Sequence, residues 1–347
     1  MSLALLMLAA AICGQQVTDA ERQRFEEIKA RHDAGRPVSA EDRDFAQRIM
    51  QRMNQAQAAA RNADWAKAHP PRESTGLVPL PDLGSGMYHG EQGGLYPGGK
   101  NTMPDGHAAA GMARAKEIAA SSKIVLLSIG MSNTTQEFTA FQKLAAGARL
   151  NPKLVLVDGA QGGQTAQITA NPQANYWKVV GERLTEAGVS AADVQVVWLK
   201  QANAQPTQGF PDAAKKLEAD LVATLHNLHD RFPNLKICYL SSRIYGGYAG
   251  TPLNPEPYAY EGGFAVKWTI ARQIAGDPEL SYDRAPWIAW GPYLWADGVR
   301  GRKQDGLVWL REDVGADGTH PSDSGRRKVA ELLLEFLRNE ATAKGWT

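Results

Sequence analysis

The sequence predicts an α/β protein: a three-layer α/β/α sandwich with a five-stranded parallel sheet, preceded by an N-terminal helical hairpin. Three observations predict it. After residue 122, five short apolar runs alternate with amphipathic helical stretches. These runs contain little polar alternation, which is typical of strands buried on both faces. Before residue 70 the chain is polar, and its few apolar residues follow helical spacing.

Composition supports a globular protein and excludes one class of partner. Hydrophobic residues make up 43% and charged residues 22% of the 347 residues, which is enough apolar material for a full core. Lys and Arg number 38 against 37 Asp and Glu, a formal net charge of +1. Because nucleic-acid binders normally carry a broad basic face, we expect no nucleic-acid partner.

Residues 1–14 are predicted to be a signal peptide, which places the mature protein in a secreted or periplasmic location. The apolar run ending at Cys13 is too short to span a bilayer, so no integral membrane span is expected. A buried N-terminal helix is the alternative. Lipoprotein anchoring is disfavoured because Ile12 stands where an acylation site needs a small residue. Removal of the segment leaves Cys238 without a disulfide partner, and we expect a buried, inert thiol there.

Residues 15–70 are predicted to form the helical hairpin. Two helix-start signals occur in this segment, Thr18 with Glu21 and Ser39 with Asp42. The apolar positions are sparse, so the segment is interpreted as an accessory to the main domain.

Residues 71–122 are interpreted as a Gly-rich loop and lead-in to the main domain. Seven glycines fall within residues 84–99, and at that density we expect neither helix nor strand. Two interpretations stay open: a loop at the entrance to a site, or a connection that wraps the domain.

Residues 123–340 carry the alternating pattern that predicts the sheet and its helices. Predicted strands cover residues 123–129, 153–157, 194–199, 236–240 and 287–290, and predicted helices cover 135–146, 172–187, 212–232, 262–275 and 322–338. In a parallel sheet of this kind, ligands bind beyond the carboxyl ends of the strands. Residues that directly follow the predicted strands are therefore the candidates for chemistry.

Ser132 follows the first predicted strand and precedes a helix. A strand-to-helix turn exposes a hydroxyl at the rim of the sheet beside the N–H groups of the helix start, which suits a nucleophile whose product is an oxyanion. The alternative is that Ser132 only caps the helix, as serines at helix starts commonly do.

Gly163 and Asn203 occupy the turns after the second and third predicted strands. A glycine N–H there can approach developing negative charge, and an asparagine amide can donate to it. Both residues are also ordinary components of such turns, so neither is specific alone.

Asp317 and His320 immediately precede the last helix, in Asp-Gly-Thr-His-Pro. Three positions apart across a tight turn, the carboxylate can bind one imidazole nitrogen and leave the other free to take a proton from a hydroxyl. By contrast, His226 and His229 on a predicted helix are interpreted as part of a polar face, since no further metal ligands accompany them.

The order of these segments resembles the SGNH hydrolase superfamily, the GDSL-type esterases. The resemblance covers about residues 123–337 and implies a flavodoxin-like fold. It implies Ser132 as nucleophile and Asp317 with His320 as the pair that activates it. It also implies an oxyanion hole formed by Gly163, Asn203 and the backbone N–H of Ser132.

Two of the motifs are nearest to the sialate and acetylxylan O-acetylesterase branch. Gly-Met-Ser-Asn at 130–133 departs from Gly-Asp-Ser and is nearer to Gly-Gln-Ser-Asn, and the paired glycines at 162–163 are also similar to that branch. The third motif, Gln-Ala-Asn at 201–203, matches neither Gly-x-Asn-Asp nor Gln-Gly-Glu. Gln201 therefore stands as an alternative to Asn203 as side-chain donor.

The function expected from these residues is acyl-ester hydrolysis through an acyl-enzyme, with no metal or cofactor. The resemblance makes an O-acetyl or other short acyl ester on a carbohydrate the expected substrate, with other small-molecule esters also possible. A lipase or general carboxylesterase is the alternative within hydrolases. A carbohydrate-binding protein that has lost its chemistry on the same fold is the alternative outside them.

Overall fold

The computed structural model describes residues 17–347 and divides into two units, with the boundary between His69 and Pro70. The predicted signal peptide at residues 1–14 lies outside the described residues. Within residues 17–347, no helix is long and apolar enough to cross a membrane.

The first unit contains two helices, α1 (Asp19–Asp33) and α2 (Ala40–Ala68). Both begin as the sequence predicts: Thr18 forms a capping box with Glu21, and the Ser39 side chain accepts from the N–H of Asp42. The helices contact each other, with an ion pair between Arg52 and Glu21 at 2.7 Å. The predicted helical hairpin is confirmed.

The second unit, Pro70–Thr347, is built on a parallel sheet of five strands. The strands are β3 (Ile124–Gly130), β4 (Leu154–Asp158), β5 (Val194–Lys200), β6 (Ile237–Ser241) and β7 (Trp287–Trp290), and they lie side by side in the order β4-β3-β5-β6-β7. Every residue of β3, β6 and β7 is buried, as expected for strands covered on both faces. The predicted fold class is confirmed.

Helices flank this sheet. They are α3 (Leu80–Leu83), α4 (Asp105–Ala119), α5 (Ser132–Ala146), α6 (Ala166–Thr169), α7 (Asn175–Glu186), α8 (Asp212–Arg231), α9 (Tyr258–Ile274) and α10 (Asp323–Asn339). Helix α5 packs against α10, while α8 packs against α9 and α6. Because all five strands are parallel, their carboxyl ends lie along one rim, where β3 leads directly into α5.

The Gly-rich segment differs from its prediction. It contains two short antiparallel strands, β1 (Met87–Tyr88) and β2 (Glu91–Gln92), joined by a turn with Gly90 at φ 87°. Glycine makes the turn possible, and the strands form because the ladder needs main-chain groups rather than particular side chains. The prediction of no strand in this segment was wrong.

Helix positions differ from the sequence patterns in two further ways. Helix α4 was not anticipated, because its Ala- and Gly-rich sequence carries little amphipathic signal. The other helices have shifted ends: α5 begins at Ser132 rather than at 135, and α9 begins at Tyr258 rather than at 262. The earlier start of α5 makes Ser132 the first residue of that helix.

Candidate active site

The corner between β3 and α5 presents Ser132 at the rim of the sheet. Met131 is the N-cap residue of α5 in extended conformation, and the helix start has no side-chain cap hydrogen bond. Gly130 lets the chain turn here, because a Cβ atom at this position would overlap the Thr134 side chain and the Lys200 carbonyl. The Ser132 hydroxyl therefore does not serve as the cap, and it is available for another contact.

That contact is His320. The Ser132 Oγ lies 2.8 Å from Nε2 of His320, and Nδ1 of the same ring lies 2.5 Å from Oδ2 of Asp317. A carboxylate only accepts hydrogen bonds, so the proton of the neutral ring resides on Nδ1. Nε2 then carries the lone pair, and the Ser132 hydroxyl donates to it. The structure brings these three predicted residues into one hydrogen-bonded series.

Asp317 is held in its ionised form by the turn that it begins. Burial alone would raise the pKa of this carboxyl, but hydrogen bonds from the His320 side chain and from the N–H groups of Thr319 and His320 outweigh it and lower the pKa to about 2. The two N–H groups donate to Oδ1 at 3.0 Å each. One oxygen of Asp317 thus fixes the turn while the other orients the imidazole.

The turn from Asp317 to His320 is also held from outside. Gly250 donates its N–H to the Asp317 carbonyl at 2.8 Å, and the buried side chain of Asn133 donates to the Thr319 carbonyl at 3.0 Å. Gly318 has φ 65° and lies so close to the Tyr248 carbonyl that no Cβ atom fits. The position of His320 is therefore set by three contacts from two parts of the fold, the segment at residues 248–250 and the start of α5.

Gly163 lies in the turn beside Ser132. The N–H of Gln161 donates to the Gly130 carbonyl at 3.0 Å, which fixes this turn against the end of β3. A Cβ atom built on the neighbouring Gly162 would lie 3.9 Å from that of Ser132. Within residues 17–347, the N–H of Gly163 donates to no other group, and its φ of 75° favours glycine.

Asn203 and Gln201 make structural hydrogen bonds instead of pointing freely at the rim. The Nδ2 of Asn203 donates to Asp220 at 2.8 Å. The Nε2 of Gln201 donates to the Gln164 carbonyl at 3.1 Å and to Thr169 at 3.3 Å. Both side chains expected to compete for the oxyanion hole thus bind neighbouring segments of the fold, and Asn203 has only its second Nδ2 hydrogen left to donate.

A fully buried ion pair lies next to the nucleophile corner. Lys200, the last residue of β5, contacts both carboxylate oxygens of Glu137 in α5 at 2.7 and 2.6 Å. Burial lowers the pKa of Lys200 to about 8, against the opposing field of Glu137. The Lys200 carbonyl also accepts the Thr134 hydroxyl at 2.8 Å. These contacts fix α5 to the end of β5.

The sequence patterns assign no site role to two further residues. Asn133 and Arg243 both donate to the Thr319 carbonyl, the latter from Nη2 at 3.4 Å. Asn133 belongs to the helix-start motif, which gives its position but not its target. Arg243 follows β6 on the predicted rim, and only the tertiary structure brings it to Thr319.

Several other candidates are structural. Trp295 is fully buried, and its indole N–H donates to Glu256 at 2.7 Å, so it belongs to the core and offers no face for a ligand to stack on. His226 donates from Nε2 to the main-chain carbonyl of Glu279 at 2.6 Å. Burial raises the pKa of the Cys238 thiol, as expected for an inert cysteine. In the described part of the chain, no cluster of three or more His, Cys, Asp or Glu is placed to hold a metal ion.

The arrangement can activate a hydroxyl for attack on a carbonyl carbon. It combines a serine at a helix N-terminus, an imidazole positioned to accept its proton, a carboxylate that fixes the ring, and an unengaged N–H at Gly163. Helix N-termini carry N–H groups without intrahelical partners, which favour negative charge nearby.

No family model matches the sequence, and no curated protein matches it. Among solved structures, a salicylyl-acyltransferase from a tetracycline biosynthetic pathway is 16% identical with a TM-score of 0.32, over 64% of this chain and 57% of that one. The periplasmic domain of a lipopolysaccharide acetyltransferase from Salmonella ser. Paratyphi A is 14% identical with a TM-score of 0.34, over 66% and 87%. An extracellular lipase from Streptomyces rimosus is 12% identical with a TM-score of 0.32, over 61% and 99%.

The chain thus spans a little over half the length of the acyltransferase. With TM-scores of 0.32 to 0.34, these similarities assign none of the three activities to this protein.

Proposed function

We propose that this protein is a serine esterase of the SGNH type that hydrolyses acyl esters through an acyl-enzyme. The observation that carries the proposal is the unbroken hydrogen-bonded series from Ser132 through His320 to Asp317. A helix-capping serine and a turn-closing aspartate would not need to meet through a histidine that is 188 residues away from the serine.

In the proposed reaction, His320 Nε2 takes the proton of Ser132 as Oγ attacks the ester carbonyl carbon. The imidazolium then gives this proton to the leaving alcohol, and the acyl group stays on Ser132. Water attacks the acyl-enzyme and loses a proton to His320. The bond between the acyl carbon and Ser132 Oγ then breaks, His320 returns this proton to Oγ, and the carboxylic acid leaves. Asp317 stabilises the imidazolium and fixes the ring but stays ionised throughout.

The oxyanion of each tetrahedral intermediate is proposed to bind the N–H groups of Ser132 and Gly163. Support comes from the place of Ser132 at the N-terminus of α5, from the approach of Gly162 to Ser132, and from the next N–H along the chain, that of Gly163, which donates to no group within residues 17–347. Asn203 is proposed as a third donor through its second Nδ2 hydrogen, since its first is bound to Asp220. Each such donor is worth about 3 kcal/mol of the barrier.

For the substrate, we propose a short acyl group, most simply O-acetyl, on a carbohydrate alcohol. Support comes from the sequence motifs at 130–133 and 162–163, which resemble the acetylesterase branch.

Hydrolysis of p-nitrophenyl acetate by the full chain, beside Ser132→Ala, tests the proposal. We expect the variant to lose about 10³-fold or more in kcat, because no other nucleophile is activated by His320. Ser190→Ala, which changes a serine that caps a short turn before β5, is the matched control and should keep wild-type kcat. Acetylated xylan and an O-acetylated sialic acid then rank the carbohydrate substrates.

Equal, negligible rates for the wild type and Ser132→Ala would contradict the esterase and favour the carbohydrate-binding alternative on the same fold.

For localisation, we propose export directed by residues 1–14. Cell fractionation with N-terminal sequencing of the mature protein tests it, and an intact N-terminus on cytoplasmic protein would contradict it.

A further inference from the structure

In the part of the chain that the structure describes, the buried cation Arg243 has no ion-pair partner. Only 4% of the residue is exposed, and within residues 17–347 no carboxylate oxygen lies within 4.0 Å of its guanidinium. Among the described residues, its buried Nε finds no acceptor, and the hydrogen bond that the guanidinium makes is the 3.4 Å contact from Nη2 to the Thr319 carbonyl. Buried guanidinium groups usually pair with carboxylates, since an unpaired buried charge is costly.

The acidic side chains whose charges act on Arg243 already have other donors. Glu137 is paired with Lys200, and Asp317 binds His320. Glu256 accepts from the N–H of Gly246 and the indole of Trp295, among others. Glu137 and Lys200 neutralise each other, whereas the donors to Asp317 and Glu256 are uncharged, so these two carboxylates keep their negative charges in the field of Arg243. The Asp317–His320 turn contacts the guanidinium directly through the Thr319 carbonyl.

The segment that begins at Arg243 also contacts the Asp317–His320 turn at the first three residues of that turn. Gly250 binds the Asp317 carbonyl, the Tyr248 carbonyl packs on Gly318, and Arg243 binds the Thr319 carbonyl. Of these contacts, only the one from Arg243 brings a charge.

We propose that Arg243 is a positioning residue for the Asp317–His320 pair, acting through the Thr319 carbonyl and through its unpaired positive charge. The contact holds the imidazole at the distance at which Nε2 meets Ser132. The charge favours the ionised form of Asp317 and the negative charge that accumulates on the reacting carbonyl oxygen. The inference rests on the proposed esterase function.

The test compares Arg243→Met, Arg243→Gln and Arg243→Lys in the full chain. We expect Met and Gln to lower kcat for p-nitrophenyl acetate by about 10- to 100-fold with KM changed by less than about twofold, because small displacements of a catalytic group have effects of this size. Lys should restore most of kcat, since it keeps the charge. Arg302→Met is the matched control: Arg302 is a buried arginine paired with Asp305, and its loss should lower stability without lowering kcat.

A second readout does not depend on activity. The proton on His320 Nδ1, in its 2.5 Å contact with Asp317, should give a downfield proton NMR resonance that is absent in Asp317→Asn. We expect this resonance to shift or broaden in Arg243→Met and Arg243→Gln and to be unchanged in Arg302→Met. Thermal unfolding shows which variants fold. If Arg243→Met does not fold, Arg243→Gln takes its place in the comparison.

Wild-type kcat and an unchanged resonance in a folded Met or Gln variant would overturn the inference. An equal loss of kcat in Lys, Met and Gln would also overturn it, since the charge would then have no role. Failure of the esterase itself is distinct: it would appear as a wild-type rate that Ser132→Ala does not lower.

Discussion

At the residue scale, Asp317 keeps its charge because of three N–H donors and despite partial burial. Its side chain is 35% exposed, and its oxygens accept from the His320 ring and from two main-chain N–H groups. Because Oδ1 accepts two main-chain hydrogen bonds, Oδ2 is the oxygen that accepts from the imidazole. This division of the two oxygens makes the ring tautomer a consequence of the turn.

Asp317→Asn should therefore lower kcat by about 10⁴-fold. The amide oxygen would replace Oδ1, which needs an acceptor, and the NH₂ group would face Nδ1 of His320. The ring proton would then move to Nε2, which could no longer accept from Ser132. Steady-state kinetics on p-nitrophenyl acetate measure the effect, and Asp323→Asn, at an exposed carboxylate in the first turn of α10, is the control with wild-type kcat.

The same variant has a predicted pH signature in stability. The folded pKa of Asp317 is about 2 and the unfolded value is about 3.9, so its ionised form stabilises the fold above about pH 4, and this contribution is lost as the pH falls towards 2. The difference in free energy of unfolding between wild type and Asp317→Asn should shrink over that range in urea titrations. If the difference in free energy of unfolding stayed constant from pH 5 to pH 2, the turn would not lower the pKa of the Asp317 carboxyl.

At the element scale, the corner from β3 to α5 depends on close contact between the backbone of Gly130 and the Lys200 carbonyl of β5. Gly130→Ala should destabilise the protein by about 1–3 kcal/mol, because the added methyl group meets backbone as well as the Thr134 side chain. It should also lower kcat, since Ser132 lies two residues further on. Gly181→Ala in α7 is the matched control, because nothing lies within 4 Å of the new methyl group.

Urea unfolding with enzyme kinetics on both glycine variants checks this prediction. Gly181→Ala should be neutral or stabilising by up to about 1 kcal/mol, since alanine is the better helix former. If Gly130→Ala were as stable and as active as Gly181→Ala, the close packing of this corner would not govern the site.

Sequence patterns predict those structural features that are determined by residues close together in the sequence. Strand runs show their burial by composition, and Asp317 with His320 lie three residues apart, so both could be predicted. The targets of the amides of Gln201 and Asn203 could not, because the acceptors are Gln164, Thr169 and Asp220, residues from other segments. The role of Arg243 is hidden for the same reason.

At the scale of the whole molecule, the chain combines a helical hairpin with a separate α/β unit that contains every residue of the candidate site. The hydrogen bonds that fix Ser132, His320 and Asp317 all come from within Pro70–Thr347. The hairpin has its own caps and ion pairs and buries little apolar surface, with Ile28 and Ile49 as the buried residues of its helices. Each unit thus has its own internal contacts, which is the usual condition for independent folding.

A chain that begins at Pro70 should therefore fold and keep kcat for p-nitrophenyl acetate within about twofold of the full chain. The reason is that truncation removes no donor or acceptor of the Ser132–His320–Asp317 series and no strand of the sheet. Circular dichroism, thermal unfolding and kinetics on both chains measure it, with Ser132→Ala in the shorter chain as the control for residual rate. A folded but inactive short chain would mean that the hairpin contributes to the site, and an unfolded one would mean that the hairpin supports the sheet.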